Sequence, residues 1–183
     1  HSTHKLLAAF SQASMIHVRN SASRDLDAER FNESFMMHTS TSPHYGVIAA
    51  CDVASKMMEG EAGRSLVQEM HDEAIAFRRA MLHVRDDLGR DDWWFSVWQP
   101  TKVERSLDKG DTPAPLVAKR EEWYLQPDAH WHGFDGLVDD YVLIDPIKVT
   151  LLTPGLTMDG SMGKLGIPAA VLSKFLWGRG ITV

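Results

Sequence analysis

The 183-residue sequence holds a single cysteine, Cys51, so no intrachain disulfide is available and nothing in it depends on an oxidising compartment. It lacks any run of about twenty apolar residues, the length a helix needs to cross a bilayer. It also lacks the apolar h-region of an export signal, so a cytoplasmic location without membrane contact is expected. Basic charge is in short supply: 19 Lys and Arg stand against 25 Asp and Glu, leaving −6. That disfavours nucleic acid as a partner, because phosphate binding relies on a basic surface. His1 and His4, and likewise His130 and His132, have neither a companion cysteine nor an H-E-x-x-H arrangement, so no metal site is expected. With 44% hydrophobic and 24% charged residues, the collagen-like and disordered classes are excluded. A chain of this size buries about 70% of its unfolded surface and amounts to one domain and a little over. It starts at His1 and ends on the short β-branched run Ile181–Val183, so it reads as a processed chain or as a segment with both ends cut through structure.

What is present reads as α/β. Ala13–Val18 is a short, partly β-branched run that predicts a strand. Asp27 is placed to cap a helix carrying Phe31 and Phe35, which stops before the Thr39–Pro43 hydroxyl run because Pro43 disfavours helical geometry at Ser42. Val47, Cys51, Ala54 and Met58 recur at helical spacing, with Gly60 placed to end that helix. Leu66, Met70, Ala74, Phe77, Met81, Val84 and Leu88 form the apolar stripe of a longer helix, with Glu69, Asp72, Arg79 and Asp86 facing away. From Leu66 to Leu88 it spans on the order of 34 Å at 1.5 Å per residue, a length that bridges two subdomains. Trp93–Trp98 predicts a strand, and residues 101–119 a polar, proline-containing loop. The last third reads as a small α/β unit: strands at Tyr141–Ile144 and Lys148–Thr153, then a helix opened by Pro168 whose apolar face is Val171, Leu172, Phe175 and Leu176. Gly178 and Gly180 end it, and Ile181–Val183 begins a further strand.

The chemistry concentrates at the start. Lys5 is followed by apolar and small residues, an arrangement that desolvates the amine and favours its nucleophilic form. Ser2 and His4 flank it with hydroxyl and imidazole groups able to hold an anion. The plain alternative is a surface lysine in a polar turn, and the spacing alone favours it. His132 reads as a structural hydrogen-bonder and the tryptophans as core and interface rather than a base-stacking platform.

The run Ser2-Thr3-His4-Lys5, then Ala8-Ala9 and Ser11-Gln12-Ala13-Ser14, resembles the S-x-H-K-x-x-small-small-x-S-Q-small-small signature of the bacterial ornithine/lysine/arginine decarboxylases. F-M-M-H-T-S-T-S-P-H-Y-G (35–46), W-F-S-V-W-Q-P (94–100), W-H-G-F (131–134), D-P-I-K-V-T-L-L-T-P-G (145–155) and G-I-P-A-A-V-L-S-K-F-L (166–176) resemble the same proteins in the same order, over nearly the whole chain.

The resemblance implies a pyridoxal 5'-phosphate enzyme of the aspartate-aminotransferase fold type. Residues 1–90 would form the end of the large cofactor domain with a long bridging helix, and 91–183 the start of a small α+β C-terminal domain. Lys5 would hold the cofactor through a carbon–nitrogen double bond, Ser2 and His4 would bind its phosphate, and Thr41 and Ser42 would reach the same phosphate from a neighbouring subunit. A homodimer or higher homo-oligomer with a shared active site follows. The implied reaction removes CO2 from a basic amino acid and returns a proton to Cα, with Lys5 and His4 as the groups able to deliver it. Cys51-Asp52-Val53-Ala54 and the long 101–119 segment look more like the lysine and arginine enzymes than the ornithine ones. The family's pyridinium-binding aspartate, expected upstream of the lysine, and its acidic substrate-binding residue, expected past G-I-T-V, lie outside the chain, which predicts that these 183 residues alone are inactive. Two other readings are an aminotransferase of the same fold type and a non-catalytic assembly domain.

Overall fold

The structure, a computed structural model, describes residues 1–21, 23, 25–88, 93–107 and 119–182. It mixes helix and sheet, and its residues pack as two compact units, His1–Leu66 and Val67–Val183.

The first unit contains α1 (Thr3–Leu6), α2 (Ala28–His38), α3 (Tyr45–Met57) and the opening of α4 (Gly60–Leu88). Asp27 caps α2 as its position predicts: its carboxylate accepts the N–H of Glu29 at 3.0 Å and of Arg30 at 3.3 Å, satisfying two donors that the first turn otherwise leaves orphaned. Phe31 and Phe35 stack on one side of the helix. The backbone turns extended at Thr39, ahead of Pro43. Along α3, Val47, Cys51, Ala54 and Met58 are the buried or half-buried positions expected of its inner face. Gly60, at φ +65°, marks the end of that segment and also opens α4, which therefore starts at Gly60 rather than Leu66.

The strand expected at Ala13–Val18 does not form. The chain there bonds back to its own start, with the Met15 N–H donating to the His1 carbonyl at 2.9 Å. Ile16 and Val18 stand 64% and 50% exposed. β-branched residues supply propensity, but a strand needs a neighbour to complete its ladder.

In the second unit, β1 (Ser96–Val97) pairs antiparallel with β2 (Leu151–Leu152), Ser96 opposite Leu152 and Val97 opposite Leu151. The Trp98 N–H extends the pairing to the Thr150 carbonyl at 2.9 Å. Only these parts of the Trp93–Trp98 and Lys148–Thr153 runs are strand. Trp93 and Trp94 stay outside it, 43% and 36% exposed. The third expected strand, Tyr141–Ile144, is reduced to one antiparallel bridge between Leu143 and Tyr124.

Residues 101–107 correct the loop reading: Thr101–Leu107 is a helix, α5. Val103 and Leu107 lie one turn apart and are fully buried with Ile75, Leu82 and Trp123 in the core of this unit. Each such side chain contributes about 1.5–3 kcal/mol on burial, enough to order a seven-residue helix that propensity alone does not hold. Residues 108–118 of the expected loop lie outside the described residues.

The buried face of α4 also differs from expectation. Ala74, Ile75, Arg78 and Leu82 face inward, while Leu66, Met70, Phe77, Val84 and Leu88 are 40–45% exposed. The inward face is centred on a charged residue, which a stripe of apolar letters does not reveal. α6 (Ala169–Trp177) follows Pro168 as expected and ends at Gly178, but of its anticipated face only Leu172 and Leu176 are half-buried, with Val171 and Phe175 exposed. Ile181 and Thr182 form no strand, and Val183 lies outside the described residues.

His132 behaves as the structural hydrogen-bonder it was expected to be. It is 5% exposed; Nε2 donates to the Gln126 carbonyl at 3.0 Å and Nδ1 accepts the Phe134 N–H at 3.0 Å. Further on, two chain segments touch backbone to backbone: a Cβ on Gly155, at φ +78°, would lie 2.6 Å from the Gly166 Cα. Gly155→Ala is therefore expected to lose more than the roughly 1–2 kcal/mol of left-handed strain alone, read as a lowered midpoint of thermal unfolding. An unchanged midpoint would show that the close approach does not exist.

Candidate active site

Lys5 sits on α1, a single helical turn. Ser2 occupies the N-cap position without a side-chain hydrogen bond to the turn. The Lys5 N–H donates to the Ser2 carbonyl at 3.1 Å and the Leu7 N–H to the Thr3 carbonyl at 2.8 Å. The chain then reverses through Gln12, a non-glycine residue at φ +74°, so that Ala13 meets His4. The Ala13 carbonyl receives both the His4 N–H at 3.2 Å and the His4 ring Nδ1 at 2.9 Å. Thr3 and Ala13 are completely buried, and this small core fixes the turn.

The expected desolvation of Lys5 is absent in this chain. Lys5 is exposed, because the apolar residues after it point outward: Leu6 is 52% and Phe10 63% exposed. The residues that bury are Thr3 and Ala13, which leaves the amine in solvent. Thr41 and Ser42 are exposed in the bend between α2 and α3, where the Ser42 N–H donates to the Ser40 hydroxyl at 3.2 Å. The Phe10 ring comes within 3.8 Å of the position a Gly46 Cβ would take, so the lysine turn reaches the first turn of α3. The structure thus brings Ser2, His4 and Lys5 together on one turn. Among the described residues, no hydrogen bond joins Thr41 or Ser42 to them.

A phosphorylated aldehyde needs an amine to condense with and donors for its phosphate. The Lys5 amine and the Ser2 hydroxyl are engaged by no other side chain among the described residues. Among the described residues, the second ring nitrogen of His4 has no partner and the Thr3 hydroxyl is buried without one. This donor set fits pyridoxal phosphate.

Sequence reading passed over Arg78, in the second unit. Its side chain is completely buried, and its guanidinium donates to Gln99 Oε1 at 3.1 Å, to the Pro146 carbonyl at 3.2 Å and to the Lys148 carbonyl at 3.0 Å. It also lies 5.1 Å from the centre of the Trp123 ring. Its spacing from Ile75 and Leu82, one turn to either side, was the available signal. The same unit carries an open cleft of about 770 Å³ lined by residues that include Trp93, Trp94, Phe95 and Leu165, with no residue of the lysine turn in it.

This arrangement of helix and sheet is similar to solved lysine decarboxylases. The crystal structure of the Francisella novicida lysine decarboxylase LdcF matches with a TM-score of 0.72 at 41% identity, over 99% of this chain and 22% of that one. In sequence, the chain is 60% identical over 183 residues to the lysine decarboxylase LdcA of Pseudomonas aeruginosa, covering 100% of this chain and 23% of that protein. It is 46% identical over 182 residues to the inducible lysine decarboxylase of Escherichia coli K12, covering 100% and 23%. The arginine and ornithine decarboxylases of that organism are similar at 42% and 37% identity. All of residues 1–183 match the family described as Orn/Lys/Arg decarboxylase, major domain, and the chain belongs to that family. It spans about 23% of the length of the lysine decarboxylases it matches. No helix among the described residues is long and apolar enough to cross a membrane.

Proposed function

We propose that this chain is the lysine-bearing part of a cytoplasmic, pyridoxal-phosphate-dependent decarboxylase of basic amino acids, acting on lysine. The observation that carries this reading is the placement of an unengaged amine, Lys5, on the same turn as Ser2 and His4, within a sequence that follows the decarboxylase family along its whole length. The preference for lysine is supported by the 60% identity to a lysine decarboxylase, against 37% to an ornithine decarboxylase.

When bound, the cofactor supplies a ring that accepts the electron pair released as the Cα–carboxylate bond breaks. The rest falls to the chain. Lys5 would hold the cofactor through its amine. Ser2 and His4 would donate to its phosphate, and Thr41 and Ser42 would reach the phosphate held by a neighbouring subunit, which would make the enzyme a homo-oligomer. Lys5 or His4 would deliver the proton that Cα takes up.

The test is product analysis of the full-length protein with pyridoxal phosphate and, separately, lysine, arginine and ornithine. CO2 and the corresponding diamine are expected, fastest from lysine. Amine transfer without gas would make the protein an aminotransferase instead, and no turnover of any of the three would favour a non-catalytic assembly role. The 183 residues alone are expected to release no CO2 above the buffer background, since the pyridinium partner and the substrate's acidic partner that the family uses are not among them.

A further inference from the structure

His4 is held by its backbone and by its ring to one atom, the carbonyl oxygen of Ala13, at 3.2 and 2.9 Å. A carbonyl oxygen only accepts, so the ring nitrogen facing it, Nδ1, must carry a hydrogen. A neutral imidazole has one N–H; once that hydrogen is committed at Nδ1, Nε2 is left with a bare lone pair. Ala13 is completely buried and its own N–H is tied to the Phe10 carbonyl at 3.0 Å, so the acceptor is fixed and the ring is oriented by the fold. His4 itself is half-buried, with no second side-chain partner among the described residues. The other titratable groups on these two segments are His1, Lys5 and His17, and none is bonded to the His4 ring; His1 and His17 lie against each other, their ring centres 5.8 Å apart.

We infer that Ala13 fixes His4 as the Nδ1–H tautomer, so that His4 offers Nε2 to the ligand as a proton acceptor and holds a phosphate dianion only as an imidazolium. This rests on the reading that His4 contacts the cofactor phosphate and adds the protonation state in which it does so. A neutral Nε2 lone pair would face phosphate oxygen lone pairs and repel them. Taking up a proton at Nε2 turns that contact into a charge-assisted hydrogen bond, and the Nδ1–H bond to Ala13 is kept in both states. His4 then stores one proton beside Lys5 while the phosphate is bound. In this role Ala13 is a positioning residue that acts through its backbone.

The test is solid-state NMR of full-length protein carrying 15N-labelled histidine, with the His4 signals identified by their loss in His4→Asn. In cofactor-free protein at neutral pH, the inference predicts an N–H-type Nδ1 and a bare, pyridine-type Nε2; addition of inorganic phosphate or pyridoxal phosphate should convert Nε2 to the N–H type. An Nε2–H tautomer in the cofactor-free protein would overturn it, and so would an Nε2 that stays bare when phosphate is bound. Two substitutions give an independent check, because an asparagine amide falls where Nδ1 does and a glutamine amide where Nε2 does. His4→Asn should keep the thermal stability of the cofactor-free protein and weaken pyridoxal phosphate binding at least about tenfold, the loss of one charged hydrogen bond. His4→Gln should recover part of that affinity while lowering the stability. The reverse pattern would contradict the inference. If borohydride labelling finds the cofactor on a lysine other than Lys5 while the His4 tautomer is as stated, the functional reading fails and the tautomer assignment stands.

Discussion

Lys5→Ala in the full-length protein is expected to lower decarboxylation by more than about 10⁴-fold, the scale seen when a covalent catalytic group is removed from a site whose other parts act as a unit with it. The same substitution should abolish the absorbance that pyridoxal phosphate acquires when it is bound to a lysine amine. It should leave folding intact, because Lys5 is exposed and engaged by no side chain among the described residues. An alanine variant that keeps its colour and more than about a hundredth of its rate would place the catalytic amine elsewhere. The pairing of a large loss of activity with an unchanged unfolding midpoint is what separates a chemical role for this residue from a structural one.

The second large effect is structural. Arg78→Ala is expected to destabilise the second unit by about 2–5 kcal/mol, through the lost hydrogen bonds and the space left behind. The substitution strips donors from the buried Gln99 Oε1, whose unpaired state costs about 1–3 kcal/mol, and from the part-buried Pro146 and Lys148 carbonyls. It also leaves a cavity beside Trp123. Arg78→Lys keeps the charge but replaces a planar fork with a point donor that cannot serve all three acceptors, so it should recover only part of the loss. Hydrogen exchange in the full-length protein reads the effect locally: amides of α4 around residue 78 and of residues 146–152 should exchange faster, and those of α2 should not. Unchanged protection there would mean that the guanidinium holds nothing in place.

The charge on Arg78 is not a switch in the neutral range. Burial lowers its pKa to about 10, with nearby Asp145 opposing the shift. Below pH 10 both folded and unfolded states keep the proton, and the contribution of this group to stability does not vary. Above about pH 10, until the unfolded state also titrates, the unfolded state binds more protons than the folded one, so its contribution rises with pH. The differences between Arg78 variants should therefore be flat from pH 6 to 9.

Where a feature depended on local chemistry it was legible in the sequence. Asp27 as a cap, Pro168 ahead of a helix and Gly60 at a left-handed junction each act within a few residues of themselves, and each is found in place. The inner face of α3 was legible because small and apolar residues line it at helical spacing. What failed depended on partners far along the chain. The stripe on α4 was drawn through its apolar residues, yet the face that buries is built around an arginine whose acceptors come from residues 99, 146 and 148. Val103 and Leu107 carried a one-turn repeat, but polar neighbours and a following proline-containing stretch hid it. The run at 13–18 has strand propensity and no strand beside it. For the site, the residue types and their order pointed to Ser2, His4 and Lys5, whereas the exposure of Lys5 and the anchoring of the His4 ring to Ala13 are products of how the turn folds back on itself.

The most direct measurement is borohydride reduction of the full-length protein in the presence of pyridoxal phosphate, followed by proteolysis and peptide mapping. The account predicts one pyridoxyl label, on the peptide containing Ser2-Thr3-His4-Lys5 and borne by Lys5. A label on any other lysine, or none at all, would contradict it.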